Sequence, residues 1–192
     1  MSVVATVQAE NVLAQIVKRC LSGDVSSEEQ LYRICYAGHI RICLRYAEDM
    51  DGAGMIFNNA MLRVFKSLNL YKEQGHFNAW VKTIIIRCCL DHVAKQGRLR
   101  FDPITLNEEE QHSIESNVFN SFEASDLQLF IRSLPNTTAT VFNLFIIDCY
   151  THKEISSLLG IAEGTSKWHV NEGRKLLKQR LQPSYKKINN DI

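Results

Sequence analysis

Leu13, Ile16, Val17, Cys20 and Leu21 recur at steps of three and four, the period of an amphipathic helix with one apolar face. Gly23-Asp24 closes that segment, and Ser27 with Gln30 offers a capping box for a second helix carrying Leu31, Ile34, Cys35 and Ile42 to about Tyr46. Asp51-Gly52 reads as the next break. A third helix then places Ile56, Phe57, Ala60, Val64 and Leu68 on one stripe, and a fourth follows the turn near Gly75 with Phe77, Trp80, Val81, Ile84 and Cys88. Four helices of this length can share one core. From Gly97 to about Ser125 no period is sustained, which marks a linker. Beyond it, Leu127, Phe130, Ile131 and Leu134 form a short stripe ending at Pro135. Val141, Leu144 and Phe145 mark another helix reaching Cys149. Strand-like alternation and internal repeats are missing. The expected fold class is all-α: two small helical domains joined by an acidic linker, the second built on a helix-turn-helix.

The stretch from Tyr150 to Leu181 carries the functional signal. Thr151 with Glu154 makes a capping box, Ile155, Leu158 and Leu159 form a narrow apolar face, Gly160 supplies a tight turn, and another helix starts near Glu163. Helix, glycine turn, helix is the arrangement in which the second helix enters the DNA major groove. Along that second helix Ser166, Val170, Gly173, Leu177 and Leu181 fall on one side, small residues marking a close helix approach. Lys167, Asn171, Arg174, Lys175 and Lys178 spread over the rest. Long cations contact phosphates and guanine edges, and Asn can pair with adenine. An ordinary hairpin with a solvated charged face would share this pattern. Trp168, two residues before Val170 and about 200° round the helix, should point away from the core.

Charge sharpens the picture. The net charge is +1, yet Asp102, Glu108, Glu109, Glu110, Glu115, Glu123 and Asp126 follow one another without a Lys or Arg, and the chain is basic again after Tyr150. Blocks of this kind suggest two modules and a connector. A near-neutral chain with an acidic connector makes a poor free-standing DNA binder, because affinity rests on neutralising phosphates. A large partner supplying most of the affinity resolves the conflict, and the connector could lie in a basic channel.

Other chemistry is thin. The six cysteines (Cys20, Cys35, Cys43, Cys88, Cys89, Cys149) fall mostly on apolar faces and, with no secretory pattern at the start of the chain, read as free core thiols. Cys88 and His92 sit four apart, but two ligands do not make a zinc site. No phosphate-cradling glycine loop, metal quartet or nucleophile-base pair is evident, and His39, His76, His92, His112, His152 and His169 are scattered. Neither enzyme activity nor a cofactor is expected. No apolar run approaches the ~18 residues of a membrane span, and a cytoplasmic protein is expected.

The stretch "YTHKEISSLLGIAEGTSKWHVNEGRKLLKQRL", preceded by "SLPNTTATVFNLF", resembles the C-terminal promoter-binding domain of extracytoplasmic-function (ECF) sigma factors of the sigma-70 family. The "HKEISSLLGIAEGTSK" form is most similar to members from Bacteroidetes-type bacteria. "LYRICYAGHIRICLRY" and "VFKSLNLYKEQGHFNAWVKTIII" resemble the N-terminal domain of the same family, in the right order. The resemblance implies a region-2 domain over 8–97, an acidic linker over 98–126, a region-4 helix-turn-helix domain over 127–182 and a tail over 183–192. It implies core RNA polymerase and promoter DNA as partners, with an anti-sigma factor that could itself be membrane-bound.

Residue by residue, Met55, Ile56, Asn58, Asn59 and Arg63 in the third helix would grip the polymerase. Lys72, His76, Asn78, Trp80, Lys82, Thr83 and Arg87 would open and read the minus-ten element. Lys153, Glu163, Thr165, Lys167, Trp168, Asn171, Arg174 and Lys175 would read the minus-thirty-five element. Spacing alone makes Phe77, Trp80 and Ile84 core residues, which competes with base contact.

The chain also departs from the family pattern. "GAGMIFNN" puts Met55 and Asn59 where acidic residues are usual, Arg87 stands where Asn is common, and Ala162 replaces a Ser cap worth ~1 kcal/mol. Trp168 replaces a small polar residue, and Glu172 stands where a basic residue is common. A helix-turn-helix regulator descended from this family that no longer works with polymerase is the alternative.

Overall fold

The computed structural model describes residues 3–71, 76–97, 99 and 129–188, with side chains for those between 11 and 180. All regular structure among them is helical. The chain divides into two compact units, Met1–Lys95 and Gln96–Ile192.

The first unit holds α1 (Val3–Leu21), α2 (Val25–Tyr46), α3 (Met50–Ser67), a 3-10 turn (Leu68–Leu70) and α4 (Phe77–Lys95). Helices α2, α3 and α4 pack against one another and α1 lies on α2. Leu31 and Cys43 from α2, Phe57 and Val64 from α3, and Val81, Ile85 and Cys89 from α4 are fully buried, with Ile16, Val17 and Cys20 closing the core from α1. Phe57 takes edge contacts from Tyr32 and Tyr36, each with ring centroids at 5.3 Å. Helix α4 buries a broad face of Val81, Ile85, Ile86, Cys88, Cys89 and Leu90, while Arg87 within that stretch is exposed. The thiols are free, and all but Cys149 are buried. Burial pushes the Cys35 thiol up to about 12, so it carries no charge at neutral pH.

Both helix starts in this unit differ from the sequence expectation. Helix α2 begins at Val25, capped by Asp24, whose carboxylate accepts from the Ser26 N–H at 3.3 Å and the Ser27 hydroxyl at 2.6 Å. Arg19 pairs with the same carboxylate at 2.7 Å. The Ser27–Gln30 capping box therefore does not form, and Ser27 is buried inside the first turn. A carboxylate with three partners caps better than a lone hydroxyl. Similarly Asp51-Gly52 is not a break. The chain turns at 47–49, Asp49 caps α3 by accepting from the Gly52 N–H at 2.7 Å, and Gly52 is buried. A Cβ there would stand 3.2 Å from the Asp49 carboxylate, so the glycine serves the cap. Leu21 and Ile34, expected inside, are exposed.

The second unit holds a helical turn at 129–132, α5 (Asn136–Phe142) running into a π-helical turn (Asn143–Ile147), α6 (His152–Leu159) and α7 (Glu163–Ile188). The expected helix to Cys149 stops short. Asp148 N–H reaches the Asn143 carbonyl at 2.9 Å, Tyr150 N–H reaches Leu144 at 2.9 Å, and Cys149 takes φ 62° to close the end. Ile131, Leu134, Phe142 and Leu177 form one core cluster, backed by Phe130, Ala139, Ile146 and Leu176. The linker reading, the boundary near 126, Leu127 and residues 189–192 of the tail lie outside the described residues, as does the packing expected of Leu181; the first part of the expected tail, 183–188, is the last stretch of α7.

Candidate nucleic-acid interfaces

In the second unit the sequence dictates a rigid helix-turn-helix. Thr151 Oγ1 accepts from the Glu154 N–H at 3.2 Å, and Glu154 Oε2 accepts from the Thr151 N–H at 2.8 Å, completing the expected capping box. Those bonds, the backbone one foremost, hold the Glu154 carboxyl below its ordinary range. Ile155 is the fully buried anchor of α6. Gly160 ends the helix in the left-handed region at φ 68°, where a side chain would be strained. The Gly160 and Ile161 N–H groups both reach the Ser156 carbonyl, and the Ser156 hydroxyl donates to the Ile161 carbonyl at 2.5 Å, so the turn is fixed at both ends.

Two histidines fix α7 from below. His152 Nδ1 and Ser166 Oγ share a hydrogen bond of 2.9 Å between α6 and α7, and the His152 ring stacks on Phe145 at 4.2 Å. His169 Nδ1 and Thr138 Oγ1 share one of 3.0 Å to α5. Burial lowers the pKa of both rings. For His152 the neighbouring Lys167 and Arg174 add to the effect and Glu163 opposes it. These roles were not legible from sequence, where the histidines are merely dispersed.

The outward face follows from that docking. Ser166, Val170, Gly173 and Leu177 are buried, and at 100° per residue Trp168, Asn171 and Lys175 cluster on the opposite side. Trp168 is 39% exposed, its indole edge-on to His169 at 4.9 Å. Lys167 and Lys178 flank this face and are exposed; Arg174, Thr165 and Glu172 are half-buried at its borders. Glu163 and Lys153 are exposed near the turn and on α6. The structure thus gathers Lys167, Trp168, Asn171 and Lys175, and leaves Arg174 at the margin.

In the first unit the exposed side of α4 carries His76, just ahead of the helix, then Trp80, Thr83, Ile84 and Arg87, all within about 100° of arc. Asn78 and Lys82 point to the other side, Lys82 half-buried, and so do not join them. Lys72 lies outside the described residues. Phe77 is core at 6% exposure, whereas Trp80 and Ile84 are half-buried, so the competition between packing and contact splits within the trio. Tyr71, Phe77 and Trp80 form a ring cluster with centroids 5.1 to 5.6 Å apart. Tyr71 begins the segment, Tyr71 to Asp91, expected to open and read the minus-ten element.

On α3, Met55, Asn58, Asn59 and Arg63 are exposed, but Ile56 is 2% exposed in the core and cannot present its side chain to a partner. Its place in the apolar stripe decided this. Tyr32 donates to Asn58 Oδ1 at 2.6 Å, and Arg63 pairs with Asp91 of α4 at 2.8 Å. Leu62, seven residues after Met55 and 58% exposed, shares the Met55 face, a residue the same period would have found.

The described residues thus define two helical modules, the second a helix-turn-helix with a cationic, aromatic outward face. Two family models match the sequence, "Sigma-70 region 2" over residues 31–99 and "Sigma-70, region 4" over residues 124–177. The chain belongs to the sigma-70 family, as an ECF-type member. The family's sigma factors are DNA-binding proteins that direct RNA polymerase to promoters.

Its relatives include the ECF RNA polymerase sigma factor SigE of Mycolicibacterium smegmatis, 26% identical over 157 residues. That match takes in 80% of this chain but 58% of the longer SigE. SigW of Bacillus subtilis is 22% identical over 188 residues, covering 90% of this chain and 98% of SigW. RNA polymerase sigma-H factor of Pseudomonas aeruginosa is 18% identical over 180 residues, 88% and 93% covered. Among solved structures, the sigma factor RpoE of Bartonella quintana, crystallised with the anti-sigma factor NepR, shares the fold. The TM-score is 0.52 at 15% identity, over 82% of this chain and 98% of that one. No helix among the described residues is long and apolar enough to cross a membrane.

Proposed function

We propose that this protein is a working sigma factor. It joins core RNA polymerase in the cytoplasm, opens the minus-ten element with its first domain and reads the minus-thirty-five element with α7. It has no catalysis of its own. The observation that carries this reading is the outward face of α7: Trp168, Asn171 and Lys175, flanked by Lys167, on a helix fixed by the Gly160 turn and the His152 and His169 bonds. On α4, His76, Trp80, Thr83 and Arg87 supply stacking surface, polar groups and one cation for a separated strand. The α3 contact to polymerase is Met55, Asn58, Asn59 and Leu62, apolar and amide in character rather than carboxylate-led. The domains run 8–97 and 127–182, with 98–126 as an acidic connector through a basic channel and 183–192 as a tail. An anti-sigma factor would restrain the protein by covering these faces. The deciding experiment is run-off transcription with core polymerase and a randomised promoter library; enrichment of a two-element promoter supports the proposal, and no transcript at low salt overturns it.

The neutral α3 surface favours one second reading, a DNA-binding regulator detached from polymerase. Co-purification with core polymerase excludes it, and sequence-specific binding without co-purification establishes it.

A further inference from the structure

Thr138 of α5 and His169 of α7 form a buried polar pair, 3% and 6% exposed, whose Oγ1 and Nδ1 share a hydrogen bond of 3.0 Å. Thr138 lies one turn before Phe142, and His169 one turn before Gly173. The pair is thus the next contact along the seam where Gly173 meets the Phe142 ring. That close approach, with Leu177 buried beyond it, already docks α7 on α5. Docking alone does not call for a polar pair. Two apolar side chains of similar shape would fill the space about as well, because a buried hydrogen bond largely offsets the cost of burying its own donor and acceptor.

What the bond does set is the plane of the imidazole. The outer torsion of a histidine is broad and roughly two-fold, and a partner at Nδ1 selects one of its orientations. The imidazole so held is the surface that the Trp168 indole meets edge-on, with centroids 4.9 Å apart and planes at 79°. Edge-to-face pairs are favoured by the opposite charge of ring face and ring rim, so a fixed imidazole restricts the indole as well. Trp168 is 39% exposed on the outward face of α7, where an unrestrained indole would sample several rotamers. Hydroxyl, imidazole and indole therefore form one chain of contacts from the core of the domain to its outward face.

We propose that Thr138 and His169 are positioning residues for promoter recognition: they hold the Trp168 indole in the orientation it presents to the major groove, so that a buried residue of α5 helps to set which bases α7 selects. This rests on reading Trp168 as a base contact. Neither Thr138 nor His169 touches DNA; both act through the indole.

The first test is spectroscopic. The chain has two tryptophans, so Trp80→Phe leaves Trp168 as the sole one. In that full-length variant, time-resolved fluorescence anisotropy should show the indole depolarising with the tumbling of its domain. Adding Thr138→Val should introduce a faster local phase, and adding Thr138→Ser, which keeps the hydroxyl, should not. The second test selects from a promoter library randomised in the minus-thirty-five element, by transcription with core polymerase. Thr138→Val should lower discrimination at the base pair that Trp168 meets by several-fold, and Thr138→Ser should select as the parent does. Thr138→Val with His169→Leu removes both polar groups together, so its melting temperature should stay near the parent's while its discrimination falls. In a Trp168→Ala background, Thr138→Val should change nothing further, since the two act on one contact.

Parental selection by Thr138→Val and by the double variant, with Trp168→Ala altered, overturns the positioning role and leaves the pair as core packing. Absence of the faster phase in Thr138→Val does the same. An effect of Thr138→Val that persists in full without Trp168 overturns it too, by placing the cause in the helix as a whole. Parental selection by Trp168→Ala overturns the base contact beneath the proposal, and the role in base selection falls with it.

Discussion

Gly173 of α7 lies so close to Phe142 of α5 that a Cβ on it would stand 2.6 Å from the ring's Cδ2. Phe142 is 1% exposed in the core cluster with Leu134 and Leu177, so the ring has nowhere to go without displacing its neighbours. Gly173→Ala should destabilise the second domain by about 1–3 kcal/mol, the usual cost of overpacking. Chemical denaturation followed by circular dichroism measures this. An unchanged midpoint would mean that α7 can lift away from α5.

The cap of α3 offers a simpler test. Asp49 Oδ1 takes the Gly52 N–H at 2.7 Å. Asp49→Ala should cost about 0.5–2 kcal/mol of stability in the first domain, and Asp49→Asn or Asp49→Ser should recover most of it. Equal losses in all three variants would assign the effect to something other than the cap.

His152 and His169 make the second domain sensitive to acid. Burial lowers both pKa values from the ordinary 6.5, so in the window below 6.5 the unfolded chain binds protons that the folded chain does not. Their contribution to stability is complete above pH 6.5 and is lost as pH falls from there through the folded values. Carboxylates held low in the fold, Asp24 and Glu154, titrate at more acidic pH and leave this window clear. The melting temperature should therefore fall between pH 7 and pH 5. His152→Phe, which keeps a ring on Phe145, should flatten that fall, and a pH profile identical to the parent's would show that His152 is not one of its sources.

If α7 reads the minus-thirty-five element as proposed, Trp168 should give this protein its own preference there. An exposed indole on the outward face can contact a thymine methyl or a sugar, while Glu172 at the border can accept from cytosine N4. Trp168→Ala should change the bases selected from a randomised minus-thirty-five element, with a melting temperature close to the parent's. A clear loss of stability with the same selected bases would make the indole a packing residue against His169.

Leu62 completes the Met55 face of α3. Leu62→Glu leaves the core untouched, since the side chain is 58% exposed, yet it would put a charge into the apolar polymerase contact proposed above. Capture of core polymerase should fall at least tenfold, with little response to salt in the parent complex because the contact carries few charges. Capture equal to the parent's would place the polymerase contact elsewhere on the domain.

Period and punctuation in the sequence determined much of this protein. The stripe from Ile56 to Leu68, the Thr151–Glu154 capping box and the Gly160 turn each depend on residues within a few positions of one another, and local geometry needs no more than that. The chemistry of α7 was legible too, because a core-facing side at Ser166, Val170 and Gly173 fixes the opposite side by helical rotation alone.

What remained belongs to tertiary structure. Whether Asp24 or Ser27 caps α2 turned on Arg19 arriving from the preceding helix. The pairing of His152 with Ser166 and of His169 with Thr138 joins residues 14 and 31 positions apart. Hydrogen bonds and charge pairs between elements depend on distances set by packing, and a one-dimensional pattern contains no such distances.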